Sequence, residues 1–273
     1  MIRAKLKWDE GGNLLVERFS PVRRFEHWLI AGSFILLILT GFPQKLDEMV
    51  VGHWLLTAFG GLDNARLIHR ILGIIMSIHG VVHIMGWVVG VMNKKMRMTL
   101  LPDGQDVRDA WLQLQYYLGY RKHRAPMPKF DYRQKFEYMG MVLGGLVMIF
   151  SGLVLLYPAL TARYLPGFFI PVAKMFHTSE AVLALLVLLI WHVYGSFLNP
   201  EVFPMDRSMF TGFMKVSDLA HHHEREYAFL FPEGEPRDAS DPRADGMVFA
   251  NQRLSDTPEP KGGPSAHPTA GST

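Results

Sequence analysis

Apolar residues in this chain gather into four dense blocks separated by charged loops. The first runs from His27 to Phe42 and stops at Pro43. The second runs from Leu67 to Met92, broken only by Arg70, three histidines and small residues. The third covers Tyr138 to Tyr157 and stops at Pro158; the fourth covers His177 to Leu198, ahead of Asn199–Pro200. Each has about the length that crosses a hydrocarbon core at roughly 1.5 Å per residue, the first being at the short limit. One such block is explained by a buried helix of a large soluble protein. Four of them, with no alternating strand segments between, predict an all-α integral membrane protein, a four-transmembrane-helix up-and-down bundle.

Composition agrees and the loop charges add an orientation. Of the 273 residues, 49% are hydrophobic and 19% charged, below the roughly one-quarter charged of soluble domains, which excludes a disordered body or a charged rod. Residues 1–24 carry six Lys/Arg and 93–135 carry ten, Lys94, Lys95 and Arg97 among them, whereas 43–65 carries one and 158–176 two. Alternation of this kind places both termini in the cytoplasm by the positive-inside rule, and it accounts for the net charge of +3 without nucleic acid. Residues 1–20 lack an apolar core followed by a small-residue cleavage site, so no removed signal peptide is expected. Two loop segments carry their own pattern. Val50–Phe59 is apolar enough to lie on the outer membrane surface or under a partner. Asp106–Tyr117 reads as an interfacial amphipathic helix with Val107, Ala110, Trp111 and Leu114 on one face. His221–His223 reads as a solvated polar turn, and the Pro, Gly, Ser and Asp content from about Arg237 as a disordered or partner-wrapping tail.

The chain has no cysteine and twelve histidines, so a redox metal here has to be held by histidine, methionine or carboxylate. Six histidines fall in or at the ends of the spans: His27, His69, His79, His83, His177 and His192. Ionisable groups at that depth are costly and mark function by default; a lone one is explained by a bond to a carbonyl, six are not. With the N-terminus inside, His69 and His177 both stand at the outer level. On α-helical geometry His192 then lies about 22 Å below His177 and about 60° around, and His83 about 21 Å below His69 and about 40° around in the opposite sense. His27 opens the first helix at the inner level. Two tiers of imidazoles suit a haem near each face, with a ligand on each side of the iron; zinc needs neither two tiers nor a slot lined by glycines such as Gly41, Gly73, Gly144 and Gly152. His69 pairs with His177 outside. The inner partner of His192 is either His27 or His83, and His79 is a packing or hydrogen-bonding histidine. Arg66 and Arg70 outside, and Arg23 and Arg24 inside, are candidates for haem propionates, against the plain alternative of snorkelling.

Arg24–Phe25–Glu26–His27–Trp28 with a closing Thr40–Gly41, Ile68–His69–Arg70, and Lys135–Phe136–Glu137–Tyr138 form one set of motifs. His177 to Glu180, Trp191–His192, Asn199–Pro200 and Phe203–Pro204–Met205 complete it. Together they resemble the bacterial cytochrome b561 and formate-dehydrogenase gamma-subunit family over about residues 18–213. The resemblance implies two bis-histidine b haems, ligated by His69–His177 outside and His27–His192 inside, with His83 an addition to the simplest pattern. It implies residues 1–24 as a cytoplasmic segment, 25–213 as the di-haem domain and 214–273 as the tail, in a bacterial cytoplasmic (inner) membrane. It also implies electron transfer between the quinone pool and a partner subunit with its own redox centres. Because the chain has no cysteine, that partner is expected to be another chain, a periplasmic iron–sulfur or multihaem c-type cytochrome subunit docked over the aromatic-bearing Val50–Phe59 and Tyr164–Phe169. A quinone is expected beside the inner haem, near Arg23, Lys135 and Glu137; Glu180 is expected to orient the outer haem or carry a proton. Two other classes compete: a stand-alone membrane haem reductase, and a haem-free proton-coupled transporter with a histidine relay.

Overall fold

The computed structural model describes residues 2–46, 48–93, 99–200, 202–236, 241 and 247–249. They gather into two compact units. The larger, residues 18–96 and 134–213, holds the spans. Helix α1 (Pro21–Gly41) starts earlier than its apolar block: Ser20 caps it by accepting from the Arg23 amide at 3.4 Å, and Pro21 opens it with a fixed φ. It tightens into a 3₁₀ turn at Phe42–Gln44. Short α2 (Val50–Ala58) follows, and then Gly61, at φ 101°, turns the chain into the 31-residue α3 (Leu62–Met92). After α4 (Gly104–Tyr117), which belongs to the smaller unit, α5 (Tyr132–Leu156) forms the third span, and α6 (Pro158–Tyr164) leads to α7 (Phe169–Val187). Among the described residues, four helices are long and apolar enough to cross a membrane: Pro21–Gln44, Leu62–Met92, Tyr132–Leu156 and Phe169–Leu198.

Packing inverts the usual arrangement. Ile78, Phe150, Leu183 and Ile190 are all more than half exposed, while Ser33, Thr40, Lys135 and Ser151 are buried. Each large apolar side chain left in water forfeits about 1.5–3 kcal/mol, so this surface belongs against hydrocarbon. The fourth span departs from the expected helix. Past Val187 it winds as a π-helix over Leu188–Leu198, ending with the Asn199 amide on the Tyr194 carbonyl five residues back. The wider turn cancels the azimuth that constant α-geometry assigned to His192.

The smaller unit comprises residues 1–17, 97–133 and 214–273, and the polar stretch that opens the tail is folded in it, with helices between Val216 and Leu230. Strands β1 (Ile2–Ala4) and β5 (Met247–Phe249) pair antiparallel, and β2 (Leu6–Trp8), β3 (Leu14–Glu17) and β4 (Phe213–Lys215) form a second sheet in that order. Between those last two strands, α8 (Ser208–Thr211) closes the larger unit; α9 (Val216–His222) and α10 (Glu224–Leu230) then join Leu14 and Val16 in a core of Val216, Leu219, Phe229, Leu230 and Phe231. Those five apolar residues fold a segment whose overall composition is polar. His223 is buried too, its Nδ1 donating to the Pro128 carbonyl at 2.7 Å, rather than solvated. The tail from residue 237, apart from 241 and 247–249, and the basic residues Lys94, Lys95 and Arg97 lie outside the described residues.

Helix α4 (Gly104–Tyr117) begins at a capping box in which Asp103 accepts from the Gln105 amide and Asp106 from that of Asp103. Its polar side is the buried one. Asp109 meets Arg225 in an ion pair, Gln113 accepts from the Ala125 amide at 3.2 Å, and Val107, Trp111 and Leu114 are exposed. Burial lifts the Asp109 carboxyl above the usual carboxylate range even with Arg225 beside it. Removing one member of a buried pair typically costs about 3–5 kcal/mol. Arg225→Ala is therefore expected to accelerate proteolysis within 99–131 and 214–231, with the helical content of the spans unchanged; unaltered cleavage would show the pair to be dispensable.

Candidate functional site

The start of α3, the start of α7, and the ends of α1 and α5 meet at one end of the bundle. There the His69 and His177 rings lie 6.3 Å apart between centroids, inclined at 69°. Thr40 on α1 stands 3.1 Å from His69 Nδ1, and Ser151 on α5 stands 2.9 Å from His177 Nδ1. Each hydroxyl also bonds the carbonyl four residues back in its own helix, Leu36 at 2.7 Å and Val147 at 2.6 Å. Small residues let the rings approach: a Cβ on Gly41 would lie 2.9 Å from His69 Cε1, and one on Gly152 3.4 Å from His177 Cε1. A Cβ on Gly144 would collide with the carboxylate of Glu180, one turn beyond His177.

At the other end, His27 on α1 and His192 on the π-helical turn lie 6.0 Å apart between ring centroids, inclined at 34°. His192 Nδ1 is 2.7 Å from Glu137 Oε1, and His27 Nδ1 is buried with no hydrogen-bond partner among the described residues. His83 sits in a different setting. Arg23 Nη1 lies 2.7 Å from Glu26 and 3.2 Å from His83 Nδ1, while His83 Nε2 lies 3.2 Å from the Tyr138 hydroxyl. Both ring nitrogens of His83 are thus engaged. A cavity of about 450 Å³ opens there, lined by Ser20, Val22, Arg23, Glu26, Val82, His83 and Gly86. His79 keeps a buried Nε2 without a hydrogen-bond partner among the described residues, its ring 6.1 Å from that of His83 and inclined at 39°.

Among the expected anion-binding arginines, Arg66 pairs with Asp63 at 3.8 Å and Arg70 is exposed; they flank His69 along α3. Arg24 donates to the Phe210 carbonyl at 2.6 Å and packs over Gly212, so its guanidinium serves the α1–α8 contact. Glu137, expected near a quinone, is committed to His192. The sequence reading missed Thr40 and Ser151 as partners of the histidines. The signal was there: a hydroxyl–glycine dipeptide at the matching ends of the first and third spans.

The sequence model of prokaryotic cytochrome b561 matches residues 18–212, the whole bundle. The chain belongs to the prokaryotic cytochrome b561 family. It is also similar to the cytochrome b556(fdo) subunit of formate dehydrogenase from Escherichia coli K12 and O157:H7. Identity to each is 22% over 216 residues, covering 78% of this chain and 92% of the relative. This cytochrome is thus a bacterial membrane protein of electron transport, and its family's cofactor is haem b.

The residues present fit that group. An iron gripped by two imidazoles separates the ring centres by about 6 Å, being two bonds of about 2 Å plus the reach from each nitrogen to its ring centre. Both histidine pairs have that spacing. The Nδ1 atoms of His69, His177 and His192 are held by neighbouring oxygens, which leaves Nε2 for a metal. Gly41→Ala is expected to lower the haem content of the purified cytochrome by displacing His69. Gly145→Ala, whose added Cβ meets nothing within 4 Å, is expected to leave haem content at the parental level; equal content in both variants would free His69 from that close approach.

Proposed function

We propose that this cytochrome holds two b haems, one between His69 and His177 and the other between His27 and His192, and carries electrons across the bilayer between the quinone pool and a partner subunit. The observation that carries the reading is the pair of imidazole–imidazole spacings, 6.3 and 6.0 Å, at opposite ends of one four-helix bundle. When bound, haem supplies reversible one-electron chemistry, and two histidines per iron leave no position open for oxygen.

The chain's own residues then divide the work. Thr40, Ser151 and Glu137 orient imidazoles, and Arg66 and Arg70 stand close enough along α3 to His69 to meet propionates. His27 is favoured over His83 as the ligand opposite His192, because His83 already spends both nitrogens on Arg23 and Tyr138. The cavity beside Arg23, Glu26 and His83 suits a quinone headgroup, with Tyr138 and His83 as hydrogen-bonding groups and Lys135 buried nearby in sequence. By the positive-inside rule this end faces the cytoplasm with both termini, and the His69–His177 end faces the periplasm. A periplasmic iron–sulfur or multihaem c-type subunit is the partner, over α2 and Tyr164–Phe169. The name of the formate dehydrogenase relatives, a cytochrome subunit of a larger redox enzyme, supports that assignment.

Reduced-minus-oxidised spectra of single variants test the ligand sets. His69→Ala and His177→Ala are expected to remove the same haem, His27→Ala and His192→Ala the other, and His83→Ala neither. Loss of a haem from His83→Ala, or loss of different haems from His69→Ala and His177→Ala, contradicts the assignment.

A further inference from the structure

Spans one and three present the same two-residue device to two different histidines. Thr40 and Ser151 each have a single hydroxyl proton. Bonds of 2.7 Å to the Leu36 carbonyl and 2.6 Å to the Val147 carbonyl use those protons up. What each oxygen offers the imidazole beside it is therefore a lone pair, and the imidazole must donate: Nδ1–H of His69 at 3.1 Å and Nδ1–H of His177 at 2.9 Å, with the Leu37 and Met148 carbonyls as further acceptors for the two rings. Thr40 is 0% exposed and Ser151 7%, so water does not compete for either bond. The residue after each hydroxyl is a glycine: a Cβ added at Gly41 would crowd His69 Cε1 at 2.9 Å, and one added at Gly152 would meet His177 Cε1 at 3.4 Å, an ordinary contact. Back-bonding of Ser and Thr to the preceding turn is common in apolar helices and explains the hydroxyl–carbonyl bond alone. It does not explain why both oxygens also face a histidine of another helix with a glycine alongside.

We infer that Thr40–Gly41 and Ser151–Gly152 are a matched pair of imidazole holders that fix His69 and His177 as Nδ1–H tautomers, and so set the affinity and reduction potential of one haem without touching the other. The inference rests on the reading of His69 and His177 as an axial pair. A hydrogen bond accepted from Nδ1–H makes the ring a more electron-rich ligand, which favours the oxidised metal. The second pair is served differently: the Glu137 carboxylate meets His192, and His27 Nδ1 has no hydrogen-bond partner among the described residues. The hydroxyls are positioning groups that act through the histidines.

The test uses the full chain purified with haem, titrated potentiometrically while both b absorbances are followed. Thr40→Val and Ser151→Ala are each expected to raise the midpoint potential of the same haem, and to speed that haem's loss to apomyoglobin by roughly 10–100-fold. The second haem's potential is expected to stay at the parental value, and Thr40→Ser to restore the first. Potentials that do not move, that move together for both haems, or that move alike in Thr40→Val and Thr40→Ser overturn the inference. Should Thr40→Val fail to fold, the smaller change Ser151→Ala decides on the same readout. A haem that survives His69→Ala defeats the axial reading itself, whereas unmoved potentials in a two-haem protein defeat only the holder role.

Discussion

A hydrocarbon surround offers a buried imidazole no water, so a histidine nitrogen inside the bundle is costly unless a side chain or a ligand meets it. That requirement orders the whole interior. Spans whose outer faces carry Ile78, Phe150 and Ile190 turn their hydroxyls, glycines and histidines inward. Thr40, Ser151 and Glu137 then satisfy the Nδ1 atoms of His69, His177 and His192 from adjoining helices. Left over are the Nε2 atoms of those three histidines, while His27 Nδ1 and His79 Nε2 are buried with no hydrogen-bond partner among the described residues; the two imidazole pairs keep centroid spacings of 6.0 and 6.3 Å. His83 obeys the same rule by another route, with both nitrogens met by protein groups, which makes it a poor ligand and a fitting wall for a cavity.

The smaller unit follows the same chemistry. There the polar side of α4 is buried and satisfied by Arg225, Gln105 and the Ala125 amide, while its apolar side is exposed. A buried ion pair of this kind contributes less through attraction than through the cost of leaving either charge alone. It ties residues 99–131 to 214–231, far apart in sequence, around a small apolar core.

Much of this was legible beforehand, and the gaps have physical causes. The spans announce themselves because hydrocarbon imposes length and apolarity on every crossing helix. The His69–His177 pairing could be read because a regular helix converts sequence separation into depth. Helix α1 begins at Pro21 rather than His27 because a Ser–Pro cap and a turn carrying Arg23, Arg24 and Glu26 are invisible to hydropathy. The π-helical turn around His192 left no trace in the periodicity, so only its depth, not its azimuth, could be foreseen. The fold of 214–236 was hidden because five core residues are diluted among polar ones. Thr40 and Ser151 were overlooked because a hydroxyl in a membrane helix ordinarily serves its own backbone.

The account stands or falls on how many irons the bundle grips. Haem per chain, counted by pyridine haemochrome against amino-acid analysis on the purified full-length protein, with its electron paramagnetic resonance spectrum, measures this directly. Two b haems per chain are expected, both six-coordinate and low-spin; a ratio of one, or a high-spin iron with an open position, would refute the two histidine pairs as ligand sets.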